Sequence, residues 1–204
     1  MHLGKISRIG DVMRLGKISY YADFVVYPVV IAALAAYALW RAPAAWYLLI
    51  IAFLSGVAIW TLVEYVLHRF VLHHVPYIKD MHDAHHEDQL ALIGTPIWIS
   101  LAIMVVVVLV PLSLMTEFHI AIGLACGLMF GHFWYGGVHH ILHHWKIEPG
   151  TLAFRLKRRH MLHHHFDEMG NFGVTSGFWD VVFGTNINVR VAAPKREREE
   201  HRAA

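Results

Sequence analysis

Four long apolar runs constrain this chain more than any other feature: Phe24 to Trp40, Ala44 to Val63, Leu90 to Met115, and Phe118 to about Val138. A helix needs about 20 residues to cross the hydrocarbon of a bilayer. Because lipid offers the backbone no hydrogen bonds, runs of this length are expected as helices. The first is short for the task and the third long. Arg41, Ala42 and Pro43 leave a tight connection between the first two runs, and Thr116 with Glu117 does the same between the last two. The spans therefore read as two helical hairpins. With 57% hydrophobic and 16% charged residues in 204, the chain is too apolar for an ordinary soluble domain and too short for two well-developed ones.

Cation placement gives an orientation. Lys5, Arg8, Arg14 and Lys17 precede the first span, Arg69 and Lys79 lie between the second and third, and ten cations follow the fourth. Arg41 alone lies on the other side, so the positive-inside rule makes both termini cytoplasmic. No compact hydrophobic region with a small-residue cleavage site marks a secretory signal, and the N-terminus is expected to be retained. Residues 1–22 read as a basic amphipathic segment, in which Leu-Gly-Lys-Ile-Ser occurs at 3–7 and again at 15–19. Residues 23–186 form the membrane unit, and 187–204 a polar tail expected to be disordered. A net charge of +2 gives no indication of a nucleic-acid partner.

Eighteen histidines are the outlying number, and fifteen of them fall in the windows 68–86 and 132–165. The clusters follow span two, end span four and continue in the tail, so all face the cytoplasmic side. The single cysteine, Cys126, lies within an apolar run and leaves no thiolate site, so any metal must be held by nitrogen and oxygen. Imidazole suits first-row transition metals, and positions three or four apart share a helix face. His82, His85 and His86 form HxxHH, and His160, His163 and His164 repeat it. The end of span four offers two equivalent pairs, His139 with His143 and His140 with His144. His68 and His73 form HxxxxH, a gap that is not a one-face spacing on an α-helix and calls for a bend or helix end near Phe70. With one pair taken from span four, ten neutral ligands exceed what one ion can use, which implies two metals about 4–6 Å apart.

The series HxxxxH, HxxHH, HxxxH, HxxHH between two hydrophobic hairpins resembles the fatty acid hydroxylase / sterol desaturase superfamily over roughly residues 55–186. Glu64 to Phe70 is similar to its first box, and Asn171 to Ser176 with Trp179-Asp180 and Phe183-Gly184-Thr185 to its closing segment. The resemblance implies an all-α integral membrane protein, with four transmembrane helices in two hairpins and a cytoplasmic helical cap carrying a histidine-ligated dimetal site. It implies as ligands His68, His73, His82, His85, His86, His139, His143, His160, His163 and His164, the 139/143 pair keeping Tyr135 in register. Where family members often carry Tyr-Asp before the third box, this chain has Tyr135-Gly136. Two iron ions with O2 as co-substrate are the implied cofactors, although zinc can occupy the same imidazoles in an overproduced protein.

Glu64 lies one helical turn before His68, and an ionised acid there must face the interior with a partner. It is expected to accept a hydrogen bond from the distal N–H of a metal-bound histidine, the bland alternative being a pair with Arg69. The resemblance implies O2-dependent hydroxylation of a lipid C–H bond on a fatty acyl chain, with the 2-position a candidate. Desaturation of a lipid or sterol, or carotenoid hydroxylation, is the alternative on the same scaffold. Residues 1–23 are too few for a fused haem electron carrier, so an external electron-transfer protein and reductase are expected partners. A histidine-dependent metal transporter is the competing class, but such a carrier should place polar ligands near the midplane, where these spans are nearly free of ionisable groups.

Overall fold

A computed structural model describes residues 14–187. The first copy of the pentapeptide, at 3–7, and all but the first residue of the expected tail lie outside the described residues. After a short helix α1 (Lys17–Tyr21), the first span is α2 (Asp23–Arg41). A 3₁₀ turn at Pro43–Ala45 leads into α3 (Trp46–Val66), which continues as a π-helical turn, Leu67–Leu72. The amphipathic helix α4 (Ile78–Glu87) follows. The third span comprises α5 (Ile97–Ile103), a π-wound stretch Met104–Leu109 and α6 (Val110–Met115). The fourth is α7 (Phe118–His144), followed by α8 (Leu152–His165) and the short α9 (Phe178–Val182). Among the described residues, four helices are thus long and apolar enough to cross a membrane.

Two boundaries differ from the sequence expectation. The third span starts at Ile97 rather than Leu90, because Pro96 holds extended backbone at its N-cap and disfavours helix in the residue before it. The fourth runs on to His144, so one helix carries both the apolar span and a histidine box.

Connectivity makes two hairpins, yet the principal packing runs between them. The second and fourth spans pack in parallel along most of their length, and the first packs on the fourth rather than on its hairpin partner. Small residues set that contact. Gly56 and Gly127 meet backbone to backbone, and a Cβ on Gly127 would lie 2.2 Å from the Phe53 carbonyl oxygen. One turn to either side, Ala52 sits over Gly123 and Trp60 over Gly131. Without a hydrophobic drive between helices in lipid, such close approach supplies the van der Waals contact that holds them.

Each of these pairs is offset by the same 71 residues. The next members of the two rows are Glu64 with Tyr135, and then His68 with His139. The glycine seam therefore fixes the register in which two histidine boxes face each other. Outward-facing Ile51, Leu54, Val106 and Val107 remain exposed, as lipid-facing side chains should.

Candidate metal centre

The first box owes its geometry to the π-helical turn. In π winding the hydrogen bond runs from i to i+5, so residues five apart return to one face, and the His68 and His73 rings stack at 5.3 Å. The expected bend or helix end is replaced by a change of winding within a continuous helix. α4 presents His82, His85 and His86, α7 presents His139 and His143, and α8 presents His160, His163 and His164. Thr151 caps α8 by accepting the Phe154 N–H.

These side chains converge in two groups. His68, His73, His82 and His163 form one, all buried; His85, His139, His143, His160 and His164 form the other. Within each, the nearest ring nitrogens lie within 4.8 Å of one another. His86 bridges them, with Nε2 3.1 Å from that of His82 and its ring stacked on His164 at 4.1 Å. Of the two alternative pairs on span four, His139 and His143 turn into the second group. His140 instead stacks on His144 and engages the Tyr20 hydroxyl at 3.1 Å.

The donor set fits a cation. His68 Nδ1–H donates to the Phe172 carbonyl at 2.6 Å and His163 Nδ1–H to the Gly170 carbonyl at 2.8 Å. In a neutral imidazole with Nδ1 protonated, Nε2 is a bare acceptor. The two Nε2 atoms nevertheless face each other at 3.1 Å, with His82 Nε2 also 3.1 Å from that of His68. Converging lone pairs repel unless a positive ion lies between them. Metal–nitrogen bonds of about 2.0–2.1 Å put neighbouring donors about 2.9–3.4 Å apart for right-angle to tetrahedral geometry. The second group has comparable separations: 3.1 Å for His85–His139, 3.2 Å for His139–His143 and 2.8 Å for His143–His160.

Electrostatics favours the metal-binding form. Burial, and then the neighbouring imidazoles, push His85 and His86 down to about 3. Burial followed by His86 brings His163 to about 3, and burial lowers His73 to about 4 against the pull of Asp83. His82, His160 and His164 also lie below the ordinary histidine range, with burial the largest cause. Neutral imidazoles are what a metal requires.

The orienting carbonyls belong to the closing segment, and here Glu64 departs from expectation. Its carboxylate hydrogen-bonds no imidazole and no arginine among the described residues. One oxygen accepts the Val174 and Thr175 N–H groups at 2.7 and 2.8 Å, and the other accepts the Thr175 hydroxyl at 2.5 Å. Arg69 turns to the Tyr65 hydroxyl instead. Glu64 thus anchors the loop whose Phe172 and Gly170 carbonyls hold His68 and His163.

Asp180, which carried no assigned role in the sequence reading, completes the anchorage. Fully buried, it accepts the Phe172 and Gly173 N–H groups at 2.8 and 2.9 Å and the Thr185 hydroxyl at 2.7 Å, and pairs with Arg159 at 3.0 Å. Asn171 takes a left-handed backbone (φ 54°) and bridges the Arg159 carbonyl and the Ile187 N–H. Polar residues between the apolar ones of 171–180 were the available signal.

Other histidines play lesser parts. His74 bonds the Arg69 carbonyl, His165 contacts Gln89, and His119 lies at the opposite end of the bundle against the Ala38 carbonyl. A cavity of about 260 Å³ opens beside the histidine groups. His68, His82, His85 and His139 line its histidine end, and Trp60, His132 and Phe133 its extension between the spans.

A family model described as fatty acid hydroxylase matches residues 53–185. A dihydroceramide fatty acyl 2-hydroxylase of Arabidopsis thaliana is 35% identical over 158 residues, covering 72% of this chain and 64% of that protein. A ceramide very long chain fatty acid hydroxylase of Saccharomyces cerevisiae is 33% identical over 165 residues, covering 72% and 41%. Fatty acid 2-hydroxylase of Rattus norvegicus is 31% identical over 147 residues, covering 66% and 39%. The chain therefore spans less than two thirds of the length of these relatives. A solved structure of full-length scs7p, in which only the hydroxylase domain is visible, is similar with a TM-score of 0.73 and 26% identity, covering 87% of this chain and 69% of that one.

Proposed function

We propose, from the premise that this chain belongs to the fatty acid hydroxylase family, that it hydroxylates a lipid acyl chain at the 2-position with O2. The observation that carries the reading is that two groups of neutral imidazole nitrogens converge where a largely apolar cavity ends. The names of the relatives supply the 2-position. The cavity supports it: its histidine end lies where the spans leave the membrane, so a lipid with its head at the surface offers a carbon near that head.

His68, His73, His82, His86 and His163 would hold one metal, and His85, His139, His143, His160 and His164 the other. Two iron ions there would supply the redox chemistry of O2 activation, which zinc lacks. In balance, the C–H bond, O2, two electrons and two protons yield the alcohol and water. The protein's own work is positional. The glycine seam and the closing segment hold the imidazoles in place, and the cavity walls seat the acyl chain beside them and exclude bulk water. The cation asymmetry supports a cytoplasmic histidine end. Exposed Arg155 and Arg158 on α8 give an acidic external electron carrier a basic face to meet.

The test compares lipids of cells expressing wild-type chain or His163→Ala at matched membrane levels, with iron and an electron donor supplied. A histidine-dependent gain of one oxygen on the acyl chain, mapped by fragmentation to C2, supports the proposal. Loss of two hydrogens instead makes the protein a desaturase.

A further inference from the structure

Asp23, at the start of α2, stands out among the groups that the reaction leaves unused. It lines the same cavity as His68, Tyr135 and His139. Its Oδ1 is buried without a hydrogen-bond partner among the described residues, on a residue that is otherwise half-buried. Two of the polar groups near it are engaged elsewhere: Tyr20, one turn earlier, is taken by His140, and Glu64 across the cavity by Val174 and Thr175, while Trp60 Nε1 in the same lining has no partner among the described residues. The rings of Tyr20 and Phe24, on either side of Asp23, pack within 5.7 and 6.1 Å of His140, the neighbour of His139. Asp23 therefore sits at the level of the metal-facing end of the cavity.

A carboxylate oxygen shielded from water is costly unless a donor meets it, and none of the described residues meets Oδ1 of Asp23. We infer that Asp23 is a specificity-determining residue that accepts a hydrogen bond from the head of the substrate, selecting an acyl chain linked through an amide N–H. The inference rests on the 2-hydroxylase reading. In an N-acyl lipid the amide nitrogen is two bonds from C2, so an acceptor beside the histidines meets its N–H while C2 faces the metals. A free fatty acid would instead bring a second carboxylate to Asp23. A thioester or an oxygen ester carries no donor on the atom next to its carbonyl. Sites built to bond a substrate N–H or O–H discriminate strongly, because the analogue lacking it leaves a buried group unpaired.

The experiment uses purified full-length wild-type protein, Asp23→Leu and Asp23→Asn, each with metal content measured. Two lipids are compared: an N-acyl sphinganine, and its ester isostere with oxygen in place of the amide N–H. Binding is read by displacement of a fluorescent acyl lipid, and turnover by formation of 2-hydroxy product. The wild type should prefer the amide by about tenfold to hundredfold, the range for a hydrogen bond to a charged group. The preference should approach unity in Asp23→Leu and shrink in Asp23→Asn, which keeps the shape of the side chain should the leucine variant fail to fold. No preference in the wild type, or an undiminished one in the variants, overturns the inference. If the wild type binds both lipids but oxidises neither with iron, O2 and reductant present, the 2-hydroxylase reading fails, and the binding ratios still judge Asp23.

Discussion

The two histidine groups share a ligand chemistry but are secured differently. In the group of His68, His73, His82 and His163 every member is buried, and two Nδ1–H groups are tied to backbone carbonyls of the closing segment. In the group of His85, His139, His143, His160 and His164, three members are only partly buried, and Nδ1 of His143, His160 and His164 has no hydrogen-bond partner among the described residues. Outer hydrogen bonds fix an imidazole's tautomer and angle before a metal arrives. The four-membered group is therefore pre-oriented by the fold, whereas the five-membered one depends more on the ion to order it.

The largest effect should come from His163→Ala, which strips the four-membered group of an anchored donor. Metal content, measured by mass spectrometry of the purified protein, should fall from about two ions per chain to about one, with hydroxylation lost. Two ions retained would break the division of the histidines into separate groups.

Glu64→Ala sharpens the comparison without touching a ligand. It leaves the Val174 and Thr175 N–H groups without their acceptor, each costing about 1–3 kcal/mol, and loosens the loop over His68 and His163. Metal affinity of the four-membered group should drop about 10–100-fold, while the other group is unchanged. Equal weakening of both in a competitive chelator titration contradicts the assignment of Glu64 to one side.

A smaller difference is expected in wild-type protein under a chelator. Two phases of metal release should appear, separated by about tenfold, the lower end of the effect of such outer contacts. The faster phase should disappear in His143→Ala and persist in His73→Ala. A single phase in wild type would mean that the buried carbonyl contacts add nothing to retention.

The pH response of metal-free protein is the mildest test. His85, His86 and His163 are held down to about 3 and His73 to about 4, so the folded chain keeps them neutral where the unfolded chain is protonated. Stability should thus decline as pH falls from about 6.5 towards about 4, since the unfolded state binds more protons in that window. Thermal unfolding across the interval, with and without metal, reads it. A flat metal-free profile would indicate that the groups are open to water, and the loaded protein should resist to lower pH.

Much of this was legible in the residues. Apolar length gave the four spans, and i, i+3, i+4 spacing brought the HxxHH boxes to one face of α4 and of α8. The doubled histidines of span four left two equivalent pairs, because both spacings fit a helix. Only packing against α1 distinguishes them, with His140 facing Tyr20. Glu64 was recognised as needing an interior partner. That its partners lie 110 and 111 residues away, on a loop, depends on tertiary folding that no local spacing encodes. Asp180 was named within the closing segment but given no role for the same reason, since its acceptor role is defined by backbone N–H groups that become neighbours only when residues 170–180 fold back under α3. The third span began late because one proline outweighs a continuous apolar count.

The π-helical turn at Leu67–Leu72 makes the site sensitive to chain length. Removing one residue between His68 and His73 would let the turn relax to ordinary α winding, which rotates everything after it by about 100° relative to the span. His73 would then regain a one-face spacing, but α4 and its three histidines would arrive at the wrong azimuth. Conservative side-chain exchange is tolerable in this stretch, whereas insertion or deletion is not. Among natural or engineered variants, the interval from His68 to His82 should therefore vary in letters and keep its length.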